Sequence, residues 1–86
     1  MANDRRRTQT PYPLARVNRT VATVLASARR EPGLSQDALA RVLGWNRMRI
    51  VKIEQGERRT PVSEFTAIAR ALALDPPQLL SRVLRG

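Results

Sequence analysis

The 86-residue sequence contains no histidine and no cysteine. Without cysteine it has no disulfide and no thiolate zinc site, and without histidine it has no Ser-His triad, Cys-His pair or HExxH metal helix. The acidic residues show no metal-ligand or paired-carboxylate pattern; among them are Asp37, Glu54, Glu57 and Glu64. We therefore expect a protein that is not an enzyme and that binds no metal or other cofactor.

Long hydrophobic runs are also missing, because arginines interrupt the apolar stretches. The sequence therefore predicts no transmembrane segment. The basic start, residues 1–7, is not followed by an apolar stretch at the spacing of a signal peptide. A chain of this length is expected to form one domain with a modest core. Together these features favour an intracellular soluble protein, located in the cytoplasm.

Acidic residues are few: seven against 16 lysines and arginines, for a formal net charge of +9 and a pI of about 11.8. This excess predicts a polyanionic partner, with nucleic acid favoured over an anionic membrane surface. Fifteen of the cations are arginines, Lys52 being the exception, and arginine forms two-pronged hydrogen bonds to phosphate and guanine. A bias toward arginine codons is the alternative explanation for that ratio, although it does not explain the net charge.

The first 13 residues offer almost nothing to bury, and Pro11 and Pro13 disfavour helix at the residues that precede them. We interpret residues 1–13 as a flexible basic arm. Residues 14–86 are then the folded domain.

The spacing of apolar residues after the arm predicts five helices and no strand. The first helix runs from Leu14 to Arg30, where the apolar spacing is 3, 4, 3, 1 and 3. Ser35, Asn46 and Asp75 are expected to cap the second, third and fifth helices. The apolar positions of the later helices are Leu39, Ala40 and Leu43 in the second; Ile50 and Ile53 in the third; Val62, Phe65, Ile68, Ala69 and Leu72 in the fourth; and Leu79, Leu80, Val83 and Leu84 in the fifth.

Residues 36–55 are the most informative segment. Ala40 is small enough for the next helix to cross closely, and Gly44 permits a sharp turn between the two helices. The inward positions on either side of the turn share one core: Leu39, Leu43, Trp45, Ile50 and Ile53. This arrangement predicts a helix-turn-helix.

The same segment and its flanks resemble the lambda-repressor-like, Cro/repressor (XRE-type) family over residues 17–84. The matching residues, in order, are Gly33-Leu34-Ser35-Gln36, Leu39-Ala40, Leu43-Gly44, Ile50, Ile53-Glu54, Gly56 and Ile68-Ala69-x-Ala71-Leu72. The resemblance implies a compact all-α domain of five helices that binds operator DNA, usually as a two-fold homodimer. The helix that begins at Asn46 would lie in the major groove.

The resemblance also assigns roles to single residues. Arg47, Met48 and Lys52 match base-reading positions. Gln36 matches a residue that contacts phosphate and braces a base-reading side chain, and Arg29 and Glu54 match a buried ion pair. The sequence departs from the family at two places. Trp45 stands where a small aliphatic residue is usual, and we interpret it as core, the alternative being contact with the DNA backbone. Ala73 replaces a common glycine, which predicts a strained or altered turn.

The residues themselves support the same assignment for the third helix. Its outward positions carry three cations and no acid; they are Arg47, Met48, Arg49, Val51, Lys52 and Gln55. Arg47 is expected to bond guanine O6 and N7, and Met48 or Val51 to cover a thymine methyl, although Val51 is alternatively a partly buried helix residue. Phosphate contacts are predicted for Gln36, Asn46, Arg49, Arg58 and Arg59.

Two further contacts are predicted outside the helix-turn-helix. Arg5, Arg6 and Arg7 of the arm are expected to contact phosphates or the minor groove, the alternative being a solubilising tail. The fifth helix has more apolar residues than its own core needs, so one side is expected to form a two-fold interface. The residues assigned to that interface are Leu79, Leu80, Val83 and Leu84.

The function that we predict is sequence-specific binding of double-stranded DNA by a transcriptional regulator, specifically a repressor, associated with the nucleoid when bound. The alternative is an antitoxin that neutralises a protein toxin and represses its own operon. A nonspecific membrane-surface binder is disfavoured, because the cations are not confined to one face of a long amphipathic helix.

Overall fold

The computed structural model describes residues 13–86, and within them the chain forms five α-helices and no strand. The helices are α1 (Leu14–Arg30), α2 (Gln36–Leu43), α3 (Arg47–Gln55), α4 (Val62–Ala71) and α5 (Pro76–Arg85). The predicted all-α, five-helix fold is confirmed. The arm residues Arg5, Arg6 and Arg7 lie outside the described residues.

Local capping explains where α2 and α3 begin. The Ser35 side chain accepts a hydrogen bond from the backbone N–H of Ala38 at 3.0 Å, and Asn46 Oδ1 accepts one from the N–H of Arg49 at 3.0 Å. Both predicted caps are confirmed. Asp75 occupies the cap position of α5, but its side chain makes no capping hydrogen bond, so the prediction of a capping side chain is wrong there. Pro76 follows it and lacks an N–H, which leaves one fewer donor to satisfy.

Each helix contributes one large, fully buried side chain to a single core. Helix α1 packs against α3, α4 and α5, while α2 packs against α3 and α4. The five side chains are Leu25, Leu39, Ile50, Ile68 and Leu79. Because Ile50 is the one fully buried residue of α3, this helix is held on one side and leaves the other side uncovered by the described chain.

The turn between α2 and α3 has the predicted geometry. Gly44 has φ +71, and the N–H of Trp45 donates to the carbonyl of Ala40 at 2.9 Å. Ala40 is buried in the crossing. Trp45 is partly buried and packs against the core, as predicted. Its ring also contacts the guanidinium of Arg49.

Helix α5 corrects part of the predicted dimer interface. Leu79 and Val83 are only 2% and 7% exposed, because this side of α5 packs against α1 and α4 inside the same chain. Assigning them to an interface between two copies was therefore wrong. Leu80 and Leu84 are 45% and 74% exposed, so they are available to a partner.

The turn after α4 contains the strain that the sequence predicted. Ala73 has φ +59, the one non-glycine residue with positive φ among residues 13–86. The turn is closed by hydrogen bonds from the N–H groups of Ala73 and Leu74 to the carbonyls of Arg70 and Ala69, at 3.0 and 2.8 Å. For a residue with a Cβ, this left-handed conformation destabilises the folded state by about 1–2 kcal/mol.

Replacing Ala73 with glycine should relieve that strain. Part of the gain is offset by the greater freedom of glycine in the unfolded chain, so we expect the free energy of unfolding to rise by about 0.5–1 kcal/mol. Urea denaturation of the wild type and Ala73→Gly measures the difference. A variant less stable than the wild type would show that the turn carries no relievable strain.

None of the described helices combines the length and the hydropathy that crossing a membrane requires.

Candidate nucleic-acid interface

The exposed side of α3 forms what we call the recognition face: Arg47, Met48, Lys52 and Gln55. Met48, Lys52 and Gln55 lie opposite the buried Ile50, and Met48 is 53% exposed. Arg47 is exposed at the N-terminal end of the helix. Neither Arg47 nor Lys52 forms a salt bridge with any described residue. Val51 is half-buried at the edge of this face. All four predicted base-contacting residues therefore lie on one helix, three of them exposed and Val51 half-buried.

The loop after α3 continues this cationic surface. Arg58 and Arg59 are exposed, and neither pairs with an acid among residues 13–86. Gly56, which ends α3 at φ +73, lies directly against α1, since a Cβ built on it would sit 3.2 Å from the Cα of Arg19. The exposed Arg19 is thus brought beside the end of α3. Sequence reasoning missed Arg19, because only the packing of α1 against this loop places it there.

A buried ion pair fixes the C-terminal end of α3. Arg29 donates from Nε and Nη2 to the two carboxylate oxygens of Glu54, at 2.7 and 3.0 Å. Their side chains are only 9% and 8% exposed. Arg29 also donates from Nη1 to the carbonyl of Leu34 at 2.7 Å, which ties the loop before α2 to the same pair. This is the pair that the family resemblance implied.

Gln36 belongs to the same network. Its side-chain nitrogen donates to Glu54 Oε1 at 2.9 Å, a partner that the sequence analysis did not assign. The carboxylate therefore receives three hydrogen bonds from α1 and α2, which satisfies a buried charge. As a result, the first residue of α2 and the last turn of α3 are held in a fixed relation.

Arg49 differs from what the sequence predicted. It was taken as free to contact phosphate, but its Nη2 and Nε lie 2.8 and 3.2 Å from Glu64 Oε2. Its guanidinium carbon also lies 3.9 Å from the centre of the Trp45 ring. Glu64 was missed because it is 15 residues away in sequence, in the first turn of α4. Within residues 13–86, the outward side of α3 therefore has two unpaired cations rather than three.

The described part of the chain also forms an open apolar groove of about 330 Å³. It is formed where the beginnings of α4 and α5 meet α1. Val62 on its wall is 81% exposed. The lining residues are Val21, Thr60, Val62, Phe65, Pro76, Pro77 and Leu80. Sequence reasoning assigned Val62 and Phe65 to a helix and did not foresee the groove.

Several solved structures share this arrangement. The restriction-modification controller protein C.AhdI from Aeromonas hydrophila is 29% identical with a TM-score of 0.66, over 72% of this chain and 94% of that one. The hypothetical transcription factor NHTF from Neisseria is 27% identical with a TM-score of 0.68, over 81% and 84%. An HTH_3 family transcriptional regulator from Vibrio cholerae is 25% identical with a TM-score of 0.70, and this chain covers 38% of its length.

No curated protein sequence matches the chain. A family model for the helix-turn-helix domain matches residues 20–85 of the chain. This range includes four whole helices and most of α1. The similarity to lambda-repressor-like proteins that the sequence indicated is confirmed by this family model and by the controller protein C.AhdI. The chain belongs to the helix-turn-helix domain family.

Proposed function

We propose that this protein is a transcriptional regulator that binds double-stranded DNA sequence-specifically, with α3 in the major groove. The observation that carries the proposal is the recognition face, which is cationic, free of acids and aimed away from the core. The major groove of B-DNA admits an α-helix, and its base edges can be told apart there. The names of two similar proteins, a transcription factor and a transcriptional regulator, support the same function.

Base reading is assigned to the recognition face. Arg47, in the first turn of α3, pairs with no acid in the described part of the chain. It is suited to a bidentate bond with guanine, worth about 1–3 kcal/mol of discrimination against other bases. Met48 offers an exposed apolar surface for a thymine methyl. Lys52 and the edge residue Val51 complete the set.

Phosphate contacts are assigned to the groups that flank this face. Arg58 and Arg59 are exposed in the loop after α3, and Arg19 on α1 lies beside that loop. Asn46 and Gln36 lie at the beginnings of α3 and α2, where helical N–H groups also favour an anion. The arm residues Arg5, Arg6 and Arg7, outside the described structure, remain predicted contacts.

Selection of bound sequences from random duplex DNA tests these roles. The wild type should enrich one motif. Arg47→Ala should lose preference at one base position, because it removes a base contact, whereas Arg59→Ala should weaken binding to all sequences alike, because it removes a phosphate contact. If both variants changed the motif in the same way, or neither changed binding, the assignment would be wrong.

We further propose that the protein binds its operator as a homodimer and acts as a repressor by occupying it. Leu80 and Leu84 on α5 are exposed, and Leu80 joins Val62 at the apolar groove. A contiguous apolar surface of this kind is typical of a protein contact. A two-fold dimer would place its α3 helices at half-sites about 34–36 Å apart.

Charged residues at the exposed leucines should prevent this association. We expect Leu80→Glu/Leu84→Glu to sediment as a monomer and to protect one half-site, while the fold is retained because both side chains are exposed. Leu14→Glu, at a 64% exposed leucine on α1, is the matched control and should behave as the wild type. Unchanged sedimentation and footprint of the double variant would place the interface elsewhere.

A further inference from the structure

Arg49 is held by two groups that the DNA-binding role does not require. Glu64 accepts both of its hydrogen bonds on one oxygen, and Trp45 lies under its guanidinium at 3.9 Å. We call Trp45, Arg49 and Glu64 the clasp. It joins the residue before the cap of α3, the first turn of α3 and the first turn of α4.

The clasp lies at the border of the recognition face. Arg49 follows Met48 directly, and its side chain is still 46% exposed, so a released guanidinium can turn toward DNA beside α3. The Glu64 side chain is only 21% exposed, so its carboxylate is more shielded from water than the Arg49 guanidinium. The position of Arg49 is therefore decided by competition between Glu64 and an external anion.

We propose that Glu64 restrains DNA binding by withholding the Arg49 guanidinium from the phosphates. The inference rests on the proposed function, since it concerns the same face of α3. Moving Arg49 to a phosphate would break two charge-assisted hydrogen bonds and its stacking on Trp45. It would also leave the Glu64 carboxylate unpaired close to the polyanion. Arg49 therefore stays in the clasp when the wild type binds DNA, and Glu64 limits the number of phosphate contacts.

The clasp itself is tested without DNA. Trp45 is the only tryptophan of the chain, so its fluorescence reports on this site alone. Arg49→Met, which keeps an alkyl stem and removes the cation, and Glu64→Ala should both change the emission of the free protein. Glu31→Ala should not, because it breaks the exposed Arg82–Glu31 pair between α5 and the end of α1 with the same change of charge. Emission unchanged by both clasp variants would overturn the inference.

The restraint is tested by the dependence of duplex affinity on salt, using the motif selected by the wild type. Glu64→Ala frees one cation, so the slope of log K against log salt should steepen by about 0.9. The affinity of the variant relative to the wild type should then fall about 3.5-fold between 50 and 200 mM salt. Arg49→Met should keep the wild-type slope, because Arg49 makes no phosphate contact in the wild type.

Two comparisons separate the clasp from a general effect of charge. In the Arg49→Met background Glu64→Ala should leave the slope unchanged, and Glu31→Ala alone should also leave it unchanged. Suppose that the wild type binds DNA normally. A slope that Arg49→Met lowers, or that Glu64→Ala leaves unaltered, would then overturn this inference but not the proposed function. A wild type that binds no duplex would overturn the proposed function and this inference with it.

Discussion

Replacing Glu54 with methionine should lower the free energy of unfolding by about 3–5 kcal/mol. The carboxylate receives hydrogen bonds from Arg29 at 2.7 and 3.0 Å and from Gln36 at 2.9 Å, in a site where the ion pair is less than a tenth exposed. Removing it leaves the Arg29 charge buried and without its counter-ion. Urea denaturation, followed by circular dichroism, measures the loss.

An exposed pair is the control for this experiment. Asp37 and Arg41 are four residues apart on α2, and their side chains are 59% and 77% exposed. Asp37→Asn should therefore cost well under about 1 kcal/mol, because water and salt screen such a pair. If Glu54→Met cost no more than Asp37→Asn, the buried pair would not be what holds α3 to α1.

A second variant shows whether the cost comes from the stranded charge. In the double variant Arg29→Met/Glu54→Met no unpaired charge is left in the site. We expect it to be more stable than Glu54→Met alone, because two apolar side chains tolerate this burial better than one isolated guanidinium. A double variant that loses the sum of the two single effects would instead show that the two residues contribute independently.

Replacing Gly56 with alanine should cost about 2–4 kcal/mol, from left-handed strain and overpacking together. Gly56 has φ +73, and an added Cβ would lie 3.0 Å from the Cβ of Ala22 and 3.2 Å from the Cα of Arg19. These atoms belong to α1 and move only with the helix. The substitution therefore strains the backbone and also forces α1 away from the end of α3.

Gly44 separates these two effects. It has φ +71, but nothing lies within 4 Å of an added Cβ. Gly44→Ala therefore carries the backbone strain alone and should cost about 1 kcal/mol. The difference between the two alanine variants, measured by denaturation, is the energy of the close approach of α1 to α3. Equal losses at both positions would mean that the contact at Gly56 relaxes without cost.

Local features of the sequence predicted local structure well. Ser35 and Asn46 cap their helices, and Gly44 turns the chain, because each depends on groups only a few residues away. The strained turn at Ala73 was predicted through the family resemblance, because alanine stands there in place of a common glycine. The ion pair between Arg29 and Glu54 joins residues 25 apart in sequence. It was predicted from the family resemblance and not from the spacing of residues.

Features that depend on packing between distant segments could not be predicted in the same way. Helix α5 is apolar on more than one side, so periodicity did not distinguish the buried Leu79 and Val83 from the exposed Leu80 and Leu84. The pairing of Arg49 with Glu64 requires the position of α4 against α3, which no local pattern encodes. The apolar groove likewise exists only where α1, α4 and α5 meet.

The most direct test of where DNA binds is the change in backbone amide NMR signals when the selected duplex is added to the labelled protein. We expect the largest changes over residues 46–55 and at residues 58 and 59. Signals along α5 should change little, apart from any change that dimerisation causes. Lys52 and Met48 should be among the most affected. Strong changes confined to the apolar groove, with the amides of α3 unaltered, would contradict binding through the recognition face.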